Sequence, residues 1–255
     1  MASKKTTAPS DASGARQAKI QQAAGKGRTG PSPVTIAGIV AILAIIAVVA
    51  WVIIANHNAN DGKGEGGSAL PAGVSAMGQP IERGTAKEGA PTLDIYEDFQ
   101  CPGCHQLETI LGPTVAEMAA DGSAKVRYHV MNFLDERYPG ENSTRAAIGS
   151  FCAAADGKFG AFHDTVYAAQ PATEGQGWTD EQFKQIAKDA GLSGAAYTTW
   201  ETCYTNQDMK QYATSMQAAS AKDGVQSTPT VKLNGKVMDM ANMTAETFKK
   251  AVLGG

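Results

Sequence analysis

Apolar and polar positions alternate in a way that predicts strands and helices over residues 91–253. Residues 92–99 and 125–134 have the alternation and the β-branched and aromatic content of strands. Between them, residues 105–120 carry apolar side chains at helical spacing, and Pro113 predicts a kink in that helix. A strand, a helix and a second strand therefore open the predicted domain.

The rest of the domain is predicted to be mostly helical, with a hairpin near its end. Residues 140–222 form the helical block, with breaks near residues 157–160, 171–177 and 191–194. Asn234-Gly235 separates two short apolar runs, over 230–233 and 236–240, and this dipeptide suits a type I′ turn. The order favours an α/β fold with a helical insertion between its second strand and its hairpin.

A final short helix is predicted over residues 244–253. Thr244 is a suitable N-cap for it, and Thr179 or Asp180 could cap a helix within the helical block. The residue three after Thr244 is Thr247 and not Glu or Gln, so we do not predict a full capping box there.

The first 90 residues are predicted to precede the folded domain. Residues 1–33 are basic and nearly free of large apolar side chains, which is typical of a disordered tail. Residues 34–55 run without one charge and are long enough to cross a bilayer. Residues 56–90 form a Gly- and Asn-rich flexible linker and a short leading segment.

We interpret residues 34–55 as an uncleaved transmembrane signal anchor. The alternatives are a buried helix of a globular core, which is rarely apolar over such a length, and a cleaved signal peptide. No clean cleavage site follows the apolar run. The basic flank lies on its N-terminal side, so the positive-inside rule predicts a cytoplasmic N-terminus and a single-pass protein whose domain lies outside the cell membrane.

Composition narrows the possible classes of protein in two ways. The 255 residues carry a formal net charge of −3, which gives no indication of nucleic-acid binding. Four cysteines are too few for a disulfide scaffold in a chain of this length. Two of them form a C-x-x-C pair, Cys101 and Cys104, and the other two, Cys152 and Cys203, lie far apart in the sequence.

The C-x-x-C pair lies where a strand is predicted to lead into a helix. Free N–H groups and the dipole of the helix N-terminus stabilise a thiolate at Cys101, and Cys104 lies one turn away. A zinc site is the alternative, but no second Cys pair exists, and His105, His129 and His163 show no ligand spacing. A purely structural disulfide would close too short a ring to stabilise much. We predict redox chemistry with no metal and no cofactor.

Two motifs together resemble the DsbA-like thioredoxin family. They are the segment Glu97–Cys104 (EDFQCPGC) and the segment Gly224–Thr230 (GVQSTPT), which is followed by Asn234-Gly235. The resemblance covers about residues 90–253. It implies a thioredoxin fold with a helical domain inserted after the second strand of its core.

The resemblance implies a role for several residues. Cys101 corresponds to the exposed nucleophilic cysteine and Cys104 to the buried resolving cysteine. Pro229 corresponds to a cis-proline packed against the disulfide, and Thr228 to the residue whose backbone meets the substrate chain. These are expectations of the family carried onto positions that match its motifs.

Two positions depart from the family pattern. The dipeptide between the cysteines is Pro-Gly, where the best-known oxidants of the family have Pro-His. His105 could stabilise the thiolate in part, although a solvent-facing position is the simpler interpretation. Ile95 stands where many relatives have a buried carboxylate that handles the proton of the resolving cysteine. Glu97 or Asp98 could take that role or could be an ordinary loop residue.

Cys152 and Cys203 lie in the predicted helical block. In an oxidising compartment two such residues favour a structural disulfide, and some relatives resemble this pattern. Two free buried cysteines are the alternative.

The predicted function is that of an extracytoplasmic oxidase. It would transfer the Cys101–Cys104 disulfide to reduced exported proteins and be reoxidised by a membrane partner. The alternatives are a reductase or isomerase on the same scaffold and a non-catalytic module that holds a peptide near Pro229.

Overall fold

A five-stranded sheet is the frame of the structure, a computed structural model that describes residues 69–254. The strands are β1 (Ile81–Arg83), β2 (Thr92–Glu97), β3 (Lys125–Val130), β4 (Thr230–Leu233) and β5 (Lys236–Val237). Their order across the sheet is β1-β3-β2-β4-β5. β2 pairs parallel with β3, and the other described pairs are antiparallel.

Strand β2 lies at the centre of the sheet, and its residues from Leu93 to Glu97 are all buried. Burial of a charged residue requires partners. Asp94 receives hydrogen bonds from Arg127 at 2.6 Å and pairs with His129 at 2.8 Å, both on β3. The central strand therefore carries buried polar side chains without leaving Asp94 unpaired.

The first helix, α1 (Pro102–Asp121), follows β2 after a short loop. Pro102 stands at its start, where no helical N–H bond is lost. The helix continues through Pro113 and ends at Gly122, whose φ of 72° is the left-handed conformation that glycine adopts easily. The observed helix is longer than the predicted one and begins at the C-x-x-C pair.

Five helices form the insertion between β3 and β4. They are α2 (Asn142–Ala153), α3 (Phe159–Ala168), α4 (Asp180–Asp189), α5 (Gly194–Thr205) and α6 (Lys210–Lys222). Large side chains that are fully buried fill the space between them, among them Phe151, Phe162, Phe183, Trp200 and Tyr212. The last helix, α7 (Ala245–Leu253), follows the hairpin and buries Phe248 and Val252.

A disulfide joins Cys152 on α2 to Cys203 on α5, with the two Cα atoms 5.9 Å apart. The alternative of two free cysteines is therefore wrong. Close by in sequence, the indole N–H of Trp200 donates to the carbonyl of Gly149 at 2.9 Å, which ties the same two helices together.

Several element boundaries differ from the predicted ones. Strand β1 lies within the range predicted as linker and pairs with β3, so the sheet begins ten residues before the predicted boundary at residue 91. Strand β3 ends at Val130, and a short 3₁₀ turn, Phe133–Glu136, follows it. In the hairpin Asn234 and Gly235 have φ of 49° and 79°, as a type I′ turn requires, but β5 is only two residues long.

The capping of α7 corrects another prediction. Thr247 Oγ1 accepts a hydrogen bond from the Thr244 N–H at 2.9 Å, and Thr244 Oγ1 accepts one from the Thr247 N–H at 3.2 Å. Both bonds of a capping box are present because a hydroxyl can replace the Glu or Gln side chain. For α4 the structure selects Thr179 and not Asp180 as the N-cap.

Between residues 69 and 254, no helix combines the length and the apolar character needed to cross a bilayer. The predicted tail (1–33), the predicted signal anchor (34–55) and the first part of the predicted linker lie outside the described residues.

Candidate active site

Cys101 and Cys104 lie at the N-terminus of α1, where a strand leads into a helix, as predicted. Cys101 is the N-cap residue and Cys104 lies in the first turn. The loop that leads to them is fixed by Asp98, whose carboxylate accepts hydrogen bonds from the N–H of Gln100 at 2.9 Å and of Leu134 at 3.1 Å. The Cys101 N–H in turn donates to the Asp98 carbonyl at 2.9 Å. The path from β2 to the helix therefore holds the first sulfur in one place.

The two cysteines are free thiols and differ in exposure. Cys101 retains 9% of its accessible surface and Cys104 retains none. The resemblance predicted an exposed Cys101, and the structure places it deeper than that. A substrate sulfur still meets Cys101 first, because Cys104 is fully enclosed.

The segment before β4 faces Cys101. The Thr228–Pro229 peptide bond is cis, and the Thr228 carbonyl oxygen lies 3.5 Å from Cys101 Sγ. Thr228 Oγ1 is buried and has no hydrogen-bond partner in the described part of the chain. A Cβ on Gly103 would come within 3.1 Å of the Pro229 ring and 3.6 Å of Cys101 Sγ. Glycine at position 103 therefore lets the cis-proline approach the helix closely.

These contacts separate the acidities of the two thiols. A hydrogen bond with the Cys104 thiol, together with the Thr228 side chain and the N–H groups of Cys104 and Gly103, lowers the pKa of Cys101 to about 6, although burial opposes this. Burial raises the pKa of Cys104 well above its ordinary value, and the sulfur of Cys101 and the charge of Glu97 add to that rise. At neutral pH Cys101 is a thiolate and Cys104 is a thiol.

The rate at which iodoacetamide modifies Cys101 should therefore reach half its maximum near pH 6 in the reduced protein. Cys104→Ala removes the strongest of the stabilising hydrogen bonds, so the midpoint should move upward in that variant. The measurement is the pH dependence of the alkylation rate, followed by mass spectrometry. A midpoint in both proteins near about 8.5, the value for free cysteine, would contradict the expectation.

A cleft of about 460 Å³ opens beside Pro229 and the first turns of α1. Ile110, Met240 and Met243 contribute apolar side chains to it, and Ile110 is 46% exposed. Ile110 is one of the apolar residues at helical spacing in α1, but its side chain lines this cleft. An apolar surface next to the reactive sulfur can receive an extended, unfolded polypeptide.

Glu97 is the last residue of β2 and is 1% exposed, so the alternative of an ordinary loop residue is wrong. Its Oε1 lies 2.6 Å from Nε2 of His163, which is on α3 and is fully buried. Ile95, at the position where relatives have a carboxylate, is a buried core residue. Burial raises the pKa of Asp98 to about 7, but its carboxylate is occupied by the loop and by Ser143.

A buried polar cluster surrounds this pair. Glu108 on α1 is 8% exposed, and burial raises its pKa. Glu97, Glu108 and His163 each place one potential ligand atom within 4.8 Å of the others. However, Nδ1 of His163 also lies 2.9 Å from Asp164, so both ring nitrogens face carboxylates and neither offers a free lone pair to a metal.

The sequence analysis considered His163 only as a zinc ligand and did not consider Glu108, because nothing in their spacing connects them with Glu97. His105, which it considered as a thiolate partner, is half-buried, and its Nδ1 lies 2.9 Å from the carbonyl oxygen of Tyr167. The predicted solvent-facing position is therefore correct only in part, because His105 is partly exposed and this contact points one ring nitrogen at α3.

Comparison with known proteins places this geometry in a family. The family model Thioredoxin_4, described as thioredoxin, matches residues 82–253. The match includes both cysteine pairs, the cis-proline and the helical insertion.

Solved structures with the same fold include a DsbA and an MdbA. Oxidised DsbA of Mycobacterium tuberculosis is 25% identical with a TM-score of 0.54, over 69% of this chain and 92% of that one. MdbA of Corynebacterium diphtheriae, titled a thiol-disulfide oxidoreductase, is 23% identical with a TM-score of 0.55, over 71% of this chain and 96% of that one.

Curated relatives include the serine/threonine-protein kinase PknE of Mycobacterium tuberculosis, which is 26% identical over 133 residues, or 51% of this chain. The chain spans only 24% of the length of that kinase, so the likeness is to one part of it. The family match, the fold and the cysteine site agree with one another, and the chain therefore belongs to the thioredoxin family.

Proposed function

We propose that this protein thiol:disulfide oxidoreductase works as an oxidase outside the cytoplasm and donates its Cys101–Cys104 disulfide to reduced exported proteins. Residues 34–55 anchor it in the cell membrane, with the N-terminus in the cytoplasm. A membrane partner reoxidises the resulting dithiol.

The observation that carries this proposal is the stabilised thiolate of Cys101. Lowering the pKa of one thiol to about 6 stabilises the reduced form at neutral pH. A disulfide whose reduced form is stabilised is the stronger oxidant, so the Cys101–Cys104 disulfide is poised to give up its bond to a substrate. The apolar cleft beside Pro229 supports an unfolded polypeptide as the substrate.

The reduction potential tests the direction of the reaction. We expect a value above the roughly −270 mV of thioredoxin by about 30 mV, because the pKa of Cys101 is about 6 and that of the thioredoxin nucleophile is about 7. The protein is equilibrated with oxidised and reduced glutathione at set ratios, and the fraction with the Cys101–Cys104 disulfide is counted by alkylation and mass spectrometry. A potential at or below that of thioredoxin would favour the reductase and overturn the oxidase.

A labelling experiment tests the location. In intact cells, a membrane-impermeant maleimide should modify Cys101 of the full chain after mild reduction. The matched control is a chain that lacks residues 1–55, whose Cys101 should be labelled only after lysis. Protection of Cys101 in intact cells that carry the full chain would place the domain in the cytoplasm and contradict the proposal.

A further inference from the structure

A row of three side chains connects the surroundings of the buried Cys104 with solvent. Glu97 is 1% exposed, and its charge acts on Cys104. His163 Nε2 donates to Glu97 at 2.6 Å, and His163 Nδ1 donates to Asp164 at 2.9 Å. The Asp164 side chain is 47% exposed. A carboxylate, an imidazole and a second carboxylate thus run from the core to the surface.

Titratable neighbours face this row from every element packed around it. Arg83 on β1 pairs with Asp164 at 2.7 Å, while Glu108 on α1, Tyr128 on β3 and Tyr167 on α3 surround His163. Glu97 Oε2, Glu108 Oε1 and both tyrosine hydroxyls are buried without hydrogen-bond partners in the described part of the chain. Groups that lack a fixed partner can accept or release a proton without breaking an existing bond.

We propose that Glu97, His163 and Asp164 form a proton relay that carries the Cys104 proton between the buried sulfur and solvent. Glu97 is the group that exchanges the proton with Cys104, and His163 and Asp164 are positioning residues that act through it. The relay takes the place of a carboxylate at position 95, where this chain has Ile95. This inference rests on the proposed disulfide exchange at Cys101. It holds whether the protein oxidises or reduces its substrates.

The exchange requires that a proton reach Cys104 or leave it. When a substrate thiolate attacks Cys101 Sγ, the Cys101–Cys104 bond breaks and its electron pair stays on Cys104. His163 passes a proton to the Glu97 carboxylate, which passes it on to the buried sulfur, and the imidazole then regains a proton from solvent on the side of Asp164. A second substrate thiolate then attacks the mixed disulfide, so the substrate is oxidised by two electrons and Cys101 leaves as a thiolate.

Charge compensation explains why the row can hold a mobile proton. Burial alone would lower the pKa of His163, but the charge of Glu97 and the hydrogen bonds to Asp164 and Glu97 raise it to about 10. The imidazolium is therefore present at neutral pH and is one transfer away from Glu97. Burial opposes ionisation of Asp164, but hydrogen bonds to His163 and Arg83 lower its pKa to about 2, so the outer end of the row remains a carboxylate.

The reverse reaction isolates the step in which Cys104 loses its proton. The reduced full chain in detergent is mixed with excess oxidised glutathione, and the products are quenched in acid and counted by mass spectrometry. In the first phase Cys101 attacks glutathione disulfide and releases one glutathione. In the second phase Cys104 attacks Cys101 Sγ and releases the other glutathione, and this step requires deprotonation of Cys104.

His163→Gln keeps a donor toward Glu97 but cannot carry a proton. We expect it to slow the second phase at least about tenfold at pH 7 and to leave the first phase within about twofold. The second-phase rate of the variant should also rise more steeply with pH than that of the wild type, because hydroxide must then take the proton. The control is His129→Gln, which removes a histidine that is also buried and also paired with a carboxylate, Asp94. Its two phases should match the wild type.

If His163→Gln does not fold, Asp164→Asn can be tested in its place, because the Asp164 side chain is half-exposed. It should slow the second phase by about threefold or more. Its control is Asp180→Asn, since Asp180 is also exposed and pairs with an arginine, Arg145, at 2.6 Å.

A relay variant that is less stable but has wild-type second-phase rates from pH 5 to 9 would overturn the relay. A wild-type chain without a first phase would instead overturn the proposed exchange itself, and the relay with it.

Discussion

Cys101→Ser is expected to reduce thiol-disulfide exchange by at least about a thousandfold, because no thiolate remains to attack a disulfide or to be attacked. The hydroxyl of serine stays protonated at neutral pH, and Cys104 cannot substitute because it is fully buried and its pKa is raised by burial. The measurement is the rate of insulin reduction in the presence of dithiothreitol.

Cys104→Ala is the matched variant for this experiment, because it removes the other sulfur and leaves the nucleophile. It should lose turnover but accumulate mixed disulfides on Cys101, since no neighbouring thiol can resolve them. Identifying the proteins that remain attached would name the substrates. Exchange that survives in Cys101→Ser, or Cys104→Ala protein that captures nothing, would contradict the assigned roles.

Removing the Cys152–Cys203 disulfide is expected to lower the free energy of unfolding by about 4 kcal/mol while the chemistry at Cys101 persists. The bridge closes a loop with a sequence separation of 51 residues, and the chain-entropy model gives a value of that size for such a loop. The double variant Cys152→Ser/Cys203→Ser avoids an unpaired thiol. Chemical denaturation monitored by circular dichroism measures the loss.

The activity of the same double variant separates a structural bridge from a second redox centre. None of the hydrogen bonds around Cys101 in the described residues involves Cys152 or Cys203. The alkylation midpoint of Cys101 should therefore stay near pH 6 at a temperature where the variant is folded. Unchanged stability together with lost exchange would make the distant pair part of the chemistry.

Local sequence signals predicted the parts of the site that depend on adjacent residues. Pro102 marks the start of a helix, and the C-x-x-C pair gives two sulfurs one turn apart, so the helix N-terminus at Cys101 follows from short-range rules. Asn234-Gly235 likewise encodes its own turn. The cis bond at Pro229 came from the resemblance, since residue spacing alone does not distinguish it from an ordinary strand start.

The features that the sequence did not reveal depend mostly on packing between residues that are far apart in the chain. Glu97 and His163 are separated by 66 residues, and only the docking of α3 against the sheet brings their side chains together. The β1 strand is three residues long and has no alternation to detect, so it is defined by its pairing with β3. The hydroxyl pair at Thr244 and Thr247 completes a capping box that a search for Glu or Gln excludes.

The bridge between α2 and α5 has a consequence for how the protein matures. A newly made chain emerges with Cys152 and Cys203 reduced, so it needs a disulfide donor before its own helices are tied together. If the mature domain is such a donor, each new copy is a client of the copies made before it. The first molecules in a cell then depend on an oxidant of a different kind, and the supply of the enzyme amplifies itself afterwards.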